Sequence, residues 1–337
     1  MELERTVVWD AHWRFAAERH AIYLKRLRGK PPFWTDDPIL RQYKFTCPFR
    51  VCDRTSQYLA KEVIYNPAYP TEPQEYVFRT LLFKLFNKIE AWEVLTAAFG
   101  VATWEEFDFE AYRKVMGAAW NEGKGTNIWN TAYTQNQKVH TEFKWKYERY
   151  LALLREMMDD GVTDKLQHAQ TYEQAFDVLK KYPLHKEGFI SMQHLTDINY
   201  SPVINFSEND WCVPGPGCLN GMQKCFSPPT TSPYLPDPPS DSQAQAIIKQ
   251  LVLDQEEHFK VNGYQPVTLF GRKLHAIDIQ NVFCETDKYA RKAHPEFNII
   301  KNEKTGEKYE RIKQPFKVTG RLPPPYFPPK WGLKVVL

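Results

Sequence analysis

Apolar residues recur every three or four positions over most of the chain, which is the spacing of an amphipathic α-helix. The strongest such segment is PQEYVFRTLLFKLFNKIEAWEVLTAAFG, with Pro73 at its start and Gly100 just past its end. Because the pattern breaks near Lys88, this segment predicts either one helix or two. Similar segments elsewhere predict a mainly α fold with about eight to ten helices.

Capping signals place several of the other predicted helices. Thr103, followed three residues later by Glu106, is a capping-box pattern that predicts a helix over TWEEFDFEAYRKVMGAAWNEG. The short segment YQPVTLFGRKL alternates instead, which is typical of a hairpin strand. Further helices are predicted over WDAHWRFAAERHAIYLKRLRGK, DRTSQYLAKEVIY, FKWKYERYLALLREMMDDG and TYEQAFDVLKKYP, and over residues 189–198, 242–259 and 275–290.

Two Pro-rich segments interrupt the helical pattern. Residues 227–241 form a Pro/Ser loop, long enough to be a functional flap. The last segment contains GRLPPPYFPPKWGL, which predicts an extended chain strapped over a surface. We therefore predict an N-terminal helical extension over residues 1–40, a helical core over 41–300 and an extended tail over 301–337.

Composition and charge narrow the classes of function. The net charge of +3 excludes a polycation that coats nucleic acid indiscriminately, so any contact with nucleic acid must be a local patch. Aromatic residues make up 15% of the chain, more than a core needs, so some are candidates for stacking on nucleobases. The N-terminus is too polar for a signal peptide and no window has eighteen apolar residues in succession. We therefore expect an intracellular protein without a membrane span.

The six cysteines do not have the spacing of a metal site. Cys212, Cys218 and Cys225 have five and six residues between them, and no CxxC pair is present. They are therefore predicted to be reduced, partly buried thiols. The sequence also lacks a Walker A loop, so the chain is not itself a nucleotide-dependent kinase. Neither a metal nor a cofactor is predicted.

One segment has the order of a helix-hairpin-helix unit. A helix ends at Pro183, a turn carries Gly188, a second helix covers 189–198, and a loop then leads to Asp210. Such a turn exposes backbone N–H groups at a helix N-terminus, where an anion is favoured. Lys186 and Gly188 are therefore predicted to contact a DNA phosphate.

Six motifs occur in a fixed order between Phe45 and Arg291: FRVCDRTSQYLAKEVIY, FRTLLFKLFNKIEAWEVL, IWNTAY, GFISMQHLTDINYS, ENDWCVPGPG and DIQNVFCETDKYAR. This order resembles the alpha-glutamyl/putrescinyl thymine pyrophosphorylase-like family of phage DNA hypermodification systems, an offshoot of the helix-hairpin-helix DNA glycosylases. That family is similar to the amino acid:DNA transferases and to the helical domain of the 5-hydroxymethyl-deoxyuridine DNA kinases. The resemblance implies a two-lobed helical fold with a cleft between the lobes.

The chain departs from the usual glycosylase hairpin in two informative ways. The segment from Leu184 to Gly188 keeps only the second glycine of the usual Leu-Pro-Gly-X-Gly hairpin. Ile190 stands where lyase-type glycosylases have their nucleophilic lysine, which excludes a Schiff-base mechanism from that position. The four-cysteine cluster of some glycosylases is also missing, so an iron–sulfur centre is not expected.

The resemblance implies a displacement of pyrophosphate from an activated 5-methylene group of a thymine-type base in double-stranded DNA, with an amino acid or other amine as co-substrate. Such a reaction needs a base, cations for the leaving group and a pocket for an extruded nucleobase. The carboxylate candidates are Asp210 and Glu285. The candidates for holding pyrophosphate are Arg54, Arg79, Lys84, Lys288 and Asn209. The stacking candidates are Tyr133, Tyr200, Trp211 and Tyr289.

Each of these assignments has a structural alternative that the sequence leaves open. Asp210 fits an Asx turn or a helix cap equally well. Asp53 and Arg54 would also suit an internal ion pair, and the polar face of residues 278–288 a solvated helix surface. At the level of function, two alternatives stand beside the transferase: a DNA glycosylase, and a non-catalytic DNA-binding module that partners a DNA kinase.

Overall fold

The protein is described by a computed structural model, which covers residues 4–122, 128–129, 138–184, 188–226, 239–298, 312, 315–317 and 321–336. These residues form thirteen α-helices and no β-strand, which confirms the predicted mainly α class. The chain divides into two compact units, each discontinuous in sequence. Unit 1 comprises residues 1–53, 208–325 and 333–337, and unit 2 comprises residues 54–207 and 326–332.

Five of the helices belong to unit 1, and a 3₁₀ turn over Arg50–Cys52 ends its first segment. The five helices are α1 (Val7–Leu27), α2 (Pro38–Gln42), α11 (Pro216–Phe226), α12 (Asp241–Val261) and α13 (Ala276–Ala293). Helix α1 packs against α11, α12 and α13, and its Trp13 and Phe15 are almost fully buried. The predicted N-terminal extension is therefore part of the core of unit 1.

Two glycines on α11 allow its close approach to α13. A Cβ atom added at Gly221 would lie 2.1 Å from the backbone oxygen of Phe283, and one added at Gly217 would lie 2.9 Å from the Sγ of Cys284. The two glycines are four residues apart and so face the same side of α11. Gly217 and Gly221 thus serve the packing of α11 against α13.

Unit 2 contains the other eight helices: α3 (Arg54–Tyr58), α4 (Pro73–Phe86), α5 (Ile89–Phe99), α6 (Phe109–Glu122), α7 (Lys146–Asp159), α8 (Val162–His168), α9 (Tyr172–Lys180) and α10 (Phe189–Ile198). A π-helical segment, Leu59–Ile64, continues α3 directly. Helix α4 contacts α5, α7, α8 and α10, and its Phe78, Leu81 and Leu82 have no exposed surface. The predicted break near Lys88 is confirmed, because Asn87 ends α4 in the left-handed conformation.

Two predictions of secondary structure were wrong in detail. The Oγ1 of Thr103 does accept a hydrogen bond from the backbone N–H of Glu106, but α6 begins only at Phe109, and Asp108 caps it by accepting from the N–H of Ala111. The predicted hairpin strand reduces to one bridge between Leu269 and Arg272. Its ladder does not extend because proline stands at position 266 and α13 begins at position 276.

The described part of the tail in unit 2 lies along the surface of that unit, as an extended strap. The backbone of Tyr326 exchanges two hydrogen bonds with the side chain of Gln57, at 2.8 and 2.9 Å. The ammonium of Lys330 donates to the carbonyl oxygens of Ser201 and Ile204. The Pro-rich loop predicted over residues 227–241 lies largely outside the described residues.

Candidate functional site

A polar face of α13 holds the loop that precedes unit 2. The carboxylate of Asp278 accepts a hydrogen bond from the backbone N–H of Arg50 at 2.8 Å. One and two turns further on, Asn281 donates to the carbonyl of Cys47 at 2.7 Å, and Glu285 accepts from the N–H of Thr46 at 3.0 Å. The polar face predicted from the three- and four-residue spacing is therefore present, and it binds a loop rather than being only a solvated surface.

Glu285 and Lys288 form an ion pair at the end of this face. Glu285 is only 2% exposed, and its two carboxylate oxygens receive hydrogen bonds from Thr46 and from the ammonium of Lys288. The side chain of Lys288 is 41% exposed. A buried carboxylate thus holds a cation whose side chain reaches the surface of unit 1.

Asp53 lies beside the same loop. Its Oδ1 accepts a hydrogen bond from the backbone N–H of Cys47 at 3.1 Å, one residue after the amide that Glu285 binds. Burial raises the pKa of Asp53 to about 6, and the negative charge of Glu285 adds to the rise. Asp53 and Arg54 do not form the ion pair that the sequence left open. Asp53 accepts from the Cys47 amide, and Arg54 lies beside Glu90.

The ENDW segment ties down the N-terminus of α13. Glu208 pairs with Arg272 at 2.7 Å, and the side-chain oxygen of Asn209 accepts from the backbone N–H of Ala276 at 3.2 Å. Asn209, predicted to hold pyrophosphate, is therefore engaged as a helix cap. The Ala276 amide that it binds lies nine residues before Glu285 on α13, about 14 Å away along the helix axis.

Asp210 and Trp211 follow this cap. Asp210 is exposed and accepts no hydrogen bond from the described residues, so neither the predicted Asx turn nor a helix cap engages its carboxylate. Trp211 is half-buried. Of the described stacking candidates, Trp211 is the least buried.

Tyr289, another stacking candidate, is packed into unit 1. It is 2% exposed, and its ring lies against Phe15 and Phe45. The phenol oxygen donates to Asp37 and accepts from Arg14, at 2.5 and 3.1 Å. This environment favours a structural role over stacking on an extruded base.

Two of the predicted anion-binding cations are buried in unit 2. The guanidinium of Arg79, a residue that is 1% exposed, donates to the carbonyls of Val63, Ile64 and Pro70. Lys84 pairs with Asp197 at 3.0 Å. Both cations are thus engaged inside the unit, which favours structural roles. The side chain of the third candidate, Arg54, is 77% exposed beside Glu90.

The hairpin candidate Lys186 and the stacking candidate Tyr133 both lie outside the described residues. Gly188 precedes α10 with a φ of +75°, and a Cβ atom there would lie 2.8 Å from the ring of Phe176. Glycine is therefore required at this turn, whatever it contacts. Tyr200 is 1% exposed and packs edge-on against Trp331 of the tail, so its ring is covered.

The cysteines are all free thiols, and only Cys284 is more than marginally exposed. Burial raises the pKa of Cys47 to about 11, so this thiol is protonated at neutral pH. Among the described residues, no group of three or more His, Cys, Asp and Glu side chains is arranged to hold a metal ion. None of the helices in that part of the chain is long and apolar enough to cross a bilayer.

Sequence reasoning missed the loop side of this site. Thr46 was not singled out, although its amide and hydroxyl contact Glu285 and Asn281 at 3.0 and 3.2 Å. No local pattern reveals such a pairing, because about 240 residues separate the partners and only the fold brings them together. The spacing of the acids on α13 was the available signal.

Comparison with known proteins places this all-helical chain in a family. Residues 6–299 match the family model described as the helical domain of 5-hmdU DNA kinase, so the chain belongs to that family. A 5-hmdU DNA kinase of Bacillus phage SP10 is 28% identical to it over 131 residues. That alignment covers 38% of this chain and 20% of the phage protein, so the chain spans a minor part of its relative. No solved structure matches significantly.

The match confirms the resemblance to the helical domain of the 5-hydroxymethyl-deoxyuridine DNA kinases. It does not extend to the glycosylase-like two-lobed fold with a cleft, which stays a prediction. The roles assigned to individual residues also stay predictions, because the comparisons give no residue-level function.

Proposed function

We propose that this protein modifies a thymine-derived base in double-stranded DNA. The substrate is DNA with pyrophosphorylated 5-hydroxymethyl-uracil, and the co-substrate is an amino acid or polyamine. Membership of a family named for a 5-hmdU DNA kinase domain supports the class of DNA substrate. The Glu285–Lys288 pair is the observation that carries the transferase, because it offers a fixed, partly exposed cation for an anionic leaving group.

The proposed reaction is a displacement at the 5-methylene carbon. A carboxylate removes a proton from the ammonium of the co-substrate, and the lone pair of the resulting amine forms the new C–N bond. The C–O bond to pyrophosphate breaks, and the leaving group takes the bonding electrons. Lys288 stabilises the negative charge that develops on that group, and Trp211 stacks on the base.

A second candidate is a non-catalytic module that binds DNA and presents it to a DNA kinase. The family name favours it, since the matching model describes one domain of a kinase, and the phage relative bears the name of the whole enzyme. In this candidate the exposed Arg54 and the Gly188 hairpin contact phosphates without any chemistry in the chain itself.

The test is mass spectrometry of nucleosides after incubation of the protein with pyrophosphorylated 5-hydroxymethyl-uracil DNA and candidate amines. A new amine-linked nucleoside is the expected product. Unchanged nucleosides with retained DNA binding would support the non-catalytic module, and abasic sites would support a DNA glycosylase. Either of those results overturns the transferase. DNA with unmodified thymine is the control substrate.

A further inference from the structure

The carboxylates of Glu285 and Asp53 meet at the loop over residues 45–53 and differ in their surroundings. Glu285 and Asp53 accept hydrogen bonds from consecutive backbone amides, those of Thr46 and Cys47. A loop whose adjacent N–H groups are held by two acids fixes both carboxylates at one place in unit 1. Asp53 was not among the residues that the sequence singled out for catalysis.

The two acids differ in how their oxygens are used. Both oxygens of Glu285 already receive hydrogen bonds, one from Thr46 and one from Lys288. Asp53 uses only Oδ1, and its Oδ2 accepts no hydrogen bond from the described residues. Asp53 is also half-buried, whereas Glu285 is almost fully covered. The free acceptor of the pair therefore belongs to Asp53.

We propose that Asp53 accepts the proton of the co-substrate ammonium and that Glu285 is a positioning residue which holds Lys288 and the loop. This assignment rests on the proposed transferase function. The Oδ2 atom of Asp53 takes one proton from the ammonium, which leaves a neutral amine and a neutral carboxylic acid. The C–N bond forms as pyrophosphate departs with the electrons of the C–O bond, which leaves a secondary ammonium product, and the carboxylic acid of Asp53 then releases its proton to solvent.

The charges around Asp53 suit this role. Burial and the charge of Glu285 raise its pKa, whereas the guanidinium groups of Arg19 on α1 and Arg50 on the 3₁₀ turn lower it. The pKa of about 6 that results is closer to neutrality than that of an ordinary aspartate. A base with such a pKa is still ionised at neutral pH and binds a proton more readily.

The Cys47 and Cys52 thiols also lie near Asp53 and stay neutral, because burial raises the pKa of each. The acid on α13 that raises the pKa of Asp53 is Glu285. Removal of its charge is expected to lower the pKa of Asp53, which gives a test that needs no activity.

The first experiment follows the carboxyl carbon of Asp53 by NMR in protein labelled with ¹³C-aspartate. The signal is identified by its loss in Asp53→Asn. We expect a midpoint near pH 6 in the wild type and a lower midpoint in Glu285→Gln. An ordinary aspartate midpoint that does not respond to Glu285→Gln would overturn the proposal.

The second experiment measures single-turnover transfer to pyrophosphorylated DNA. Asparagine at position 53 can still accept the Cys47 hydrogen bond, so Asp53→Asn is expected to fold and to keep the affinity for DNA. The rate is expected to fall by about 100-fold or more, and the rise in rate near pH 6 is expected to vanish. Asp36→Asn, a change in an exposed acid of the same unit, is the matched control.

The outcomes separate the two proposals. An active wild type with an equally active Asp53→Asn overturns the role of Asp53 and leaves the transferase standing. Loss of transfer in Asp210→Asn but not in Asp53→Asn returns the role to the residue that the sequence favoured. A wild type that joins no amine overturns the transferase and this role with it.

Discussion

At the scale of residues, the charged side chains separate into those that hold the fold and those that face solvent. Arg79, Lys84 and Tyr289 were predicted to touch the substrate, yet each is buried and hydrogen-bonded within its own unit. Charged groups so placed are costly to remove, because their partners are left unsatisfied. Lys288 and Asp210 keep substantial exposure and can meet a ligand.

Substitution of Arg79 tests this separation. The guanidinium donates to three backbone carbonyls at 2.8 to 2.9 Å, so Arg79→Met is expected to lower the free energy of unfolding by about 3 kcal/mol or more. Urea unfolding followed by circular dichroism measures the change. The matched control is Arg54→Met, at an exposed position, with an expected change below about 0.5 kcal/mol. An Arg79→Met protein with an unchanged midpoint but weaker pyrophosphate binding would contradict the structural role.

At the scale of elements, the contact of α11 with α13 shows both what a sequence pattern reveals and what it conceals. The bounds of α13 follow well from its polar and apolar spacing, which predicted 275–290 against the observed Ala276–Ala293. The packing role of Gly217 and Gly221, by contrast, has no signal in the local sequence. Their place on a helix facing Phe283 depends on a partner more than sixty residues away, which local spacing does not encode.

Gly221→Ala tests the packing of these two helices. The added methyl group would lie 2.1 Å from the carbonyl oxygen of Phe283, so α11 and α13 must move apart. We expect a loss of about 3 kcal/mol or more in the free energy of unfolding, measured in urea. Asn220→Ala, one position earlier on the same helix and only partly buried, is the control and should be close to neutral. Equal midpoints for the two variants would show that the helices can separate at no cost.

At the scale of the whole molecule, the chain leaves unit 1 after Asp53 and returns to it at Glu208. The mainly α class and most helices were predictable, because helical spacing and capping are local properties. The division into units and the buried ion pairs were not, because they depend on contacts between distant segments. The family followed from six ordered motifs, and the comparison with known proteins confirmed it.

Acid lability is a property of the whole molecule that buried histidines impose. Burial lowers the pKa of His12 to about 3 and that of His20 to about 4, so the unfolded chain binds their protons more readily and stability is lost as the pH falls below about 6.5. Asp53 opposes this loss between pH 6 and 4, since its pKa is raised in the folded state. We expect a net loss on the order of 1 kcal/mol per pH unit in that range.

Urea midpoints measured from pH 7 to 4.5 check this expectation. Asp53→Asn removes the opposing contribution, so its stability should fall more steeply with acid than that of the wild type. A midpoint that rises on acidification, or a shallower fall in Asp53→Asn, would contradict the assignment of these pKa shifts.

The return of the chain to unit 1 at Glu208 also has a consequence for synthesis on the ribosome. Residues 54–207, nearly all of unit 2, emerge as one continuous stretch, whereas α1 must wait for α11, α12 and α13 before its apolar face is covered. The roughly ninety residues from Glu208 to the end of α13, which complete the helices of unit 1, take on the order of ten seconds to translate. During that interval the nascent chain exposes the aromatic face of α1, including Trp9, Trp13 and Phe15, and we expect it to be a binding site for chaperones until α13 is complete.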